Sequence, residues 1–226
     1  MVWITLLLLI IAVFSFWELR VCEGAHLGRH FVVWLYDLAA TRYNKIKEFD
    51  FDWERRVLGE PITEVLSSLA DAKLLDVGAG TGRMARTLLA LWNFNGTIIN
   101  LEPSSKMLSV GRSSTETERS FWIRSFAVPL PFDNDAFDIV ISLEILEFTP
   151  NPRKTLAELA RVLRPGGWLI VTNRVGWEAK WIFGRTFRKD MFPMVLEKAG
   201  LQDIAVYPWQ VNYDLAWARK PLEISI

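Results

Sequence analysis

The 226-residue chain has little sulfur chemistry, little imidazole and no surplus of charge. Its single cysteine, Cys22, excludes an intrachain disulfide and fits a reducing compartment. It carries only two histidines, His26 and His30; they stand four apart, which would set them on one helix face, but no third ligand is evident and no metal site is expected. Lys+Arg and Asp+Glu are both 26, so the net charge is zero and the basic surplus usual in a nucleic-acid binder is absent. No internal repeat and no low-complexity segment interrupts the chain. What it has in excess is tryptophan, 11 in all, a residue suited to places with one apolar and one wet side.

The first stretch without charge is residues 1–17, rich in Leu, Ile, Val, Phe and Trp. It is at the short end of what crosses a bilayer, and it lengthens to residue 22 if Glu18 and Arg20 lie at the boundary and Arg20 snorkels. Trp3 and Trp17 bracket the run as interfacial aromatics do. No Lys or Arg precedes it and no Ala-x-Ala site follows, so an uncleaved anchor over residues 1–24 is expected; a signal peptide and a buried or partner-binding helix are the alternatives. Arg20 and Arg29 follow the run, which by the positive-inside tendency puts the rest of the chain in the cytoplasm, with the membrane as its localisation.

Residues 25–60 read as a helical lead-in, with Phe31, Val32, Trp34, Leu35, Leu38 and Ala39 at helical spacing. Pro61 opens a further helix running to about Leu69. Strands and helices then alternate, which predicts an α/β fold with a parallel sheet of seven strands and helices on both faces. The strands fall at 74–77, 97–101, 121–125, 137–142, 168–172, 204–207 and 213–218. Helices are expected from Thr81, around 104–110, over 151–163 with Arg164-Pro165-Gly166-Gly167 closing it, and over 192–199.

Residues 74–83, Leu-Leu-Asp-Val-Gly-Ala-Gly-Thr-Gly-Arg, end a strand in Asp76 and place glycine at 78, 80 and 82. Glycines between a strand and a helix let backbone approach a nucleotide cofactor closely. A dinucleotide fingerprint needs a third glycine where this chain has Arg83. The pattern instead resembles motif I of the class I S-adenosylmethionine-dependent methyltransferases. Four further stretches carry the resemblance across residues 60–226: Asn100–Leu108, Leu130-Pro-Phe132, Phe137-Asp-Ile-Val140 and Arg161–Gly167. Together they are similar to the small-molecule methyltransferases called type 11, which include quinone-biosynthesis enzymes. The resemblance implies a Rossmann-like methyltransferase domain over 61–226, with the lead-in capping its active site and S-adenosyl-L-methionine as cofactor. It also implies that Glu102 accepts hydrogen bonds from both ribose hydroxyls, and that Asp76 faces the cofactor's ammonium or orders the glycine turn. Gly78, Gly80, Gly82, Met107, Ala127 and Leu143 complete the expected cofactor site. Two positions depart from the family: Phe126 stands where relatives carry Asp, and Phe148 where many carry His.

Methyl transfer displaces a good leaving group, so positioning supplies much of the rate. A base helps with a phenol or an activated carbon, and Asp37, His30, Tyr36 and Tyr43 of the lead-in are the catalytic candidates. Residues 174–190 interleave Trp177, Trp181, Phe183 and Phe187 with Lys180, Arg185, Arg188 and Lys189, a mixture suited to a membrane surface; an ordinary loop covering the sheet is the plain alternative. The expectation is a membrane-anchored methyltransferase acting on a small, lipophilic acceptor, with membrane contact through 1–22 and 174–190. A protein methyltransferase at the membrane and a non-catalytic cofactor-binding scaffold are the alternatives.

Overall fold

A computed structural model describes residues 2–222. Its centre is a seven-stranded sheet in the order β3-β2-β1-β4-β5-β7-β6. The strands are β1 (Lys73–Val77), β2 (Thr97–Leu101), β3 (Ser120–Ile123), β4 (Phe137–Ser142), β5 (Leu163–Arg174), β6 (Gln202–Trp209) and β7 (Tyr213–Arg219). β1 to β5 pair in parallel. The inner strands are continuous apolar runs because both of their faces are covered. Successive side chains then sort to opposite sides. Leu75, Val77, Val140, Leu169 and Val171 pack beneath α8 (Pro152–Val162) and α9 (Phe192–Lys198). Leu74, Ile139, Ile141 and Ile170 pack with Leu58, Ile62, Met84 and Leu88 of the other face, which carries α5 (Glu60–Leu66) and α6 (Arg83–Leu89).

The expectation of a wholly parallel sheet is corrected at its end. β7 runs antiparallel to both β5 and β6. Only residues 210–212 separate β6 from β7, and a parallel return needs a dozen residues or more. A second correction concerns Arg164-Pro165-Gly166-Gly167. This segment does not close a helix but forms the start of β5, where Gly166 N–H donates to Lys220 O and Lys220 N–H to Gly167 O. Helix α6 begins at Arg83 rather than Thr81, because Gly82 is left-handed at φ 85°. Helix α7 continues past residue 110 and spans Ser105–Thr115.

Helix α1 (Val2–Arg20) exposes its apolar side chains along almost its whole length; Glu18 near its end is its buried residue. It is long and apolar enough to cross a membrane. The lead-in then folds as a short turn at Ala25–Leu27, α2 (Arg29–Ala39), α3 (Tyr43–Lys47) and α4 (Phe51–Glu54). Gly24 and Gly28, at φ 79° and 93°, break the chain on either side of the 25–27 turn. His26 and His30 therefore do not share a helix face, contrary to the spacing argument.

Candidate active site

The site lies at the carboxyl ends of β1, β2 and β4, where an open α/β sheet places its ligands. After Asp76 and Val77 the chain turns through Gly78, Gly80 and Gly82, all at positive φ. A Cβ on Gly78 would stand 2.4 Å from Ile145 Cγ2, so this position admits no side chain. The turn is fastened to the end of β2: the N–H groups of Gly78 and Ala79 donate to Leu101 O, and Gly80 N–H donates to Glu102 Oε2 at 2.9 Å. Glu102 Oε1 accepts from Ser104 N–H at 2.8 Å.

Asp76 and Glu102 are both buried. Burial pushes the Asp76 carboxyl up to about 7, with the Glu102 charge adding to it and Arg83 opposing it. Burial also pushes Glu102 up to about 7, against its two backbone hydrogen bonds. Two carboxyls poised near neutrality at a glycine turn form an acceptor pair that gains by meeting hydroxyls or a cation.

Asp76, Gly78, Gly80, Glu102, Met107, Ala127 and Leu143 all line one cleft. Gly82 does not; it turns the chain into α6, where an added Cβ would press on Trp122 and Thr115. The cleft holds about 1090 Å³ of empty space including its mouth. Tyr36, Tyr43 and Phe49 from the lead-in and Phe126 and Phe148 from the strand-end loops wall the outer half. Tyr36 lies 5.8 Å from both Tyr43 and Phe148, ring centre to ring centre. Arg29 stacks over Phe126 at 4.3 Å, so the position of the expected Asp is an aromatic face backed by a cation.

The four base candidates divide. Asp37 lies outside the cleft lining; its Oδ1 accepts from Ser104 Oγ at 2.6 Å and Lys106 N–H at 3.0 Å, which ties α2 to the start of α7. Burial works to raise its carboxyl, but those hydrogen bonds hold it below the usual range. His30 is exposed and meets the edge of Phe126 from outside. Tyr36 and Tyr43 do line the cleft, yet burial holds the first well above the ordinary phenol and pushes the second up to about 12. At neutral pH they are hydrogen-bond donors, not bases. None of the four combines a place in the cleft with a free basic group.

A charge ladder that sequence reasoning missed ties the lead-in to Arg83 and Glu144 of the cleft lining. Arg83 Nε donates to Glu54 Oε1 at 2.6 Å and Nη1 to Glu144 Oε1 at 2.7 Å, while Lys47 Nζ donates to Glu144 Oε2 at 2.9 Å. Burial works to raise Glu144, but Lys47 and Arg83 outweigh it and keep the carboxyl ionised. The sequence signal was Arg83 itself, a charged residue in a glycine fingerprint position; its partners are too distant in sequence to be read. Glu144 also adopts φ 58°, a conformation that costs energy for a non-glycine residue and is held here by its partners.

Residues 75–171 match the family described as "Methyltransferase domain". The matched stretch holds the glycine turn and both buried carboxyls, Asp76 and Glu102, so this part of the chain is similar to methyltransferase domains, and the sheet is of Rossmann-like fold. The chain is 33% identical over 155 residues to a ubiquinone/menaquinone biosynthesis C-methyltransferase of Roseobacter denitrificans, covering 66% of this chain and 60% of that protein. It is 36% identical over 110 residues to a demethylmenaquinone methyltransferase of Clavibacter sepedonicus, covering 48% and 44%. It thus spans about half the length of these curated relatives. Among solved structures, the cyclase SpnF superposes with a TM-score of 0.69 at 20% identity, over 86% of this chain and 97% of that one. Phosphoethanolamine N-methyltransferase 2 of Haemonchus contortus, in complex with S-adenosyl-L-methionine, superposes with a TM-score of 0.57 at 16% identity, over 73% and 53%. These structural likenesses speak to the fold alone.

Proposed function

We propose that the protein transfers a methyl group from S-adenosyl-L-methionine to a small lipophilic acceptor of the quinone-precursor kind, working at a membrane surface. One observation carries the membrane part of this reading. Phe148, a wall of the cleft, also packs on Cys22, Ala25 and Ile182, the cluster at the base of α1 that Trp17 and Val21 complete. The cleft and the end of the apolar helix therefore share a side chain. Trp181 and Phe183, which reach that junction, are exposed, as are Leu27, Trp34, Leu38 and Trp177 of the flanking segments, which also carry Arg29, Lys180 and Arg185. Aromatic bodies with basic neighbours suit a headgroup layer, and Arg20 and Arg29 after the helix favour the cytoplasmic side for the domain.

The cofactor supplies an electrophilic methyl on a sulfonium. The residues present fit it: Gly78 removes a side chain where close approach is needed, Glu102 can accept from ribose hydroxyls, and Asp76 offers a carboxyl to an ammonium. Tyr36, Tyr43, Phe126 and Phe148 bound the acceptor half and exclude water from it. The protonated phenols of Tyr36 and Tyr43 orient an acceptor oxygen by donating to it. Catalysis then rests on alignment within the walls, with no dedicated base among the candidates.

The test uses the full chain in vesicles containing anionic lipid, S-adenosylmethionine labelled in its methyl group, and a demethylated isoprenoid quinone as acceptor. Label should appear in the quinone, and replacing Trp177 and Trp181 by Ser should lower turnover on the bilayer-borne acceptor at least five-fold. Equal turnover by the double variant would remove the membrane-surface reading. Cofactor binding without any labelled quinone would remove the acceptor class.

A further inference from the structure

Where α1 ends, three different metal-ligating side chains converge. Glu18, Cys22 and His26 follow one another at four-residue spacing, and one donor atom from each lies within 4.8 Å of the other two. The backbone builds this convergence. Gly24 N–H donates to Glu18 O, and left-handed Glu23 and Gly24 reverse the chain so that His26 folds back over the last turn of the helix. His26 N–H and Nδ1 then meet the two oxygens of Glu18 at 2.8 and 3.0 Å. Cys22 is fully buried, and its thiol faces the carbonyl of Trp181 at 3.5 Å. The imidazole is stacked on Trp17, centroids 5.3 Å apart and planes within 14°. Its Nε2 is buried and finds no hydrogen-bond partner among the described residues.

An ordinary carboxylate–imidazole pair needs no thiol in the same space. A thiolate, a carboxylate and a neutral imidazole instead form a donor set of sulfur, oxygen and nitrogen with a total charge of minus two, which matches a divalent ion of borderline softness. Zinc bond lengths of about 2.0–2.3 Å at tetrahedral angles put ligand atoms roughly 3.3–3.8 Å apart, so closing this cluster needs movements of only about 1 Å. Magnesium and calcium prefer oxygen alone. The carbonyl of Trp181 or a water completes four-coordination.

We propose that Glu18, Cys22 and His26 form a zinc site that fastens the end of α1 to the catalytic domain. Through Cys22 the ion would draw in the Trp181 and Ile182 segment and stiffen the cluster against which the cleft wall Phe148 leans. The site is structural and takes no part in methyl transfer. It stands independently of the acceptor proposed above.

The test strips the full chain of metal in detergent micelles and titrates it with Co²⁺, then with Zn²⁺ as competitor. One Co²⁺ per chain should bind, with tetrahedral d–d absorption and a thiolate charge-transfer band, and Zn²⁺ should displace it. Zn²⁺ should also protect Cys22 from alkylation. Cys22→Ser and His26→Gln should each weaken Zn²⁺ binding at least ten-fold while S-adenosylmethionine binding, as the measure of an intact domain, is unchanged. Absence of the thiolate band in the unaltered chain would overturn the site, whatever the variants do. So would Zn²⁺ affinity that both variants retain.

Discussion

Asp76 puts a stability cost where cofactor is to be gained. The carboxyl rises from 3.8 to about 7 in the folded chain, mainly through burial. At 1.36 kcal/mol per pKa unit, full ionisation disfavours the cofactor-free fold by about 4 kcal/mol, and by about 2–4 kcal/mol allowing for sharing of the proton with Glu102. Because the folded pKa exceeds the unfolded one, the folded state holds the extra proton between pH 4 and 7. Stability therefore falls as pH rises through that window and levels off above it. Asp76→Asn removes the Asp76 share of this slope and leaves the share of Glu102, which burial raises in the same way. In urea unfolding of the cofactor-free chain in micelles, followed by tryptophan fluorescence, the variant should match the parent near pH 4 and exceed it by about 2–4 kcal/mol at pH 8. Calorimetry at pH 8 should show S-adenosylmethionine binding at least ten-fold weaker in the variant, a gain in stability at the expense of function. A variant no more stable than the parent at pH 8, or one gaining equally at pH 4 and 8, would refute the burial argument.

Cofactor affinity of the parent should itself rise with pH through about 7 as Glu102 ionises, and Glu102→Gln should flatten that profile and weaken binding ten- to hundred-fold by calorimetry. Gly78→Ala, which sets a Cβ 2.4 Å from Ile145 Cγ2 at φ 77°, should destabilise the chain by more than about 1 kcal/mol and abolish cofactor binding. Arg83→Met strands Glu54 and leaves Glu144 with Lys47 alone; unfolding should cost about 3–5 kcal/mol less, and adding Glu54→Gln should restore part of that loss. Asp37→Ala should lose about 1–2 kcal/mol with the ties to Ser104 and Lys106, while turnover at saturating cofactor stays within three-fold; a hundred-fold fall in turnover with the fold intact would return Asp37 to the role of base.

The strands were legible because each central one is an apolar run fixed by local composition, and the glycine turn because its three glycines and Asp76 lie within seven residues. Glu102, Met107, Ala127 and Leu143, expected at the cofactor from the family resemblance, line the cleft. What could not be read is the product of long-range folding. The ladder from Lys47 through Glu144 and Arg83 to Glu54 joins residues 29 to 97 apart in sequence. Asp37 looked free in a helical lead-in, and only the packing of α2 on α7 reveals that its oxygen is already engaged. The antiparallel hairpin was within reach, since a gap of a few residues between the last two strands forbids a parallel return. The histidine pair failed for a local reason: Gly28 separates the two residues, and glycine at that point breaks the helix that the spacing assumed.

The roof of the cleft precedes its floor along the chain, and translation imposes that order in time. Lys47 emerges 97 residues ahead of Glu144, an interval of roughly 5–20 s at ordinary elongation rates of about 5–20 residues per second. During it α2 has no sheet to cover, and Trp34 and Leu38 are joined in exposure by Val32 and Tyr36, which the finished domain encloses. A nascent chain whose first helix has already met a bilayer can rest this amphipathic segment on the lipid surface until the sheet arrives to claim it. Release from a free ribosome instead leaves the same segment open to chaperones or to aggregation, so the yield of folded protein should depend on how early the first helix finds lipid.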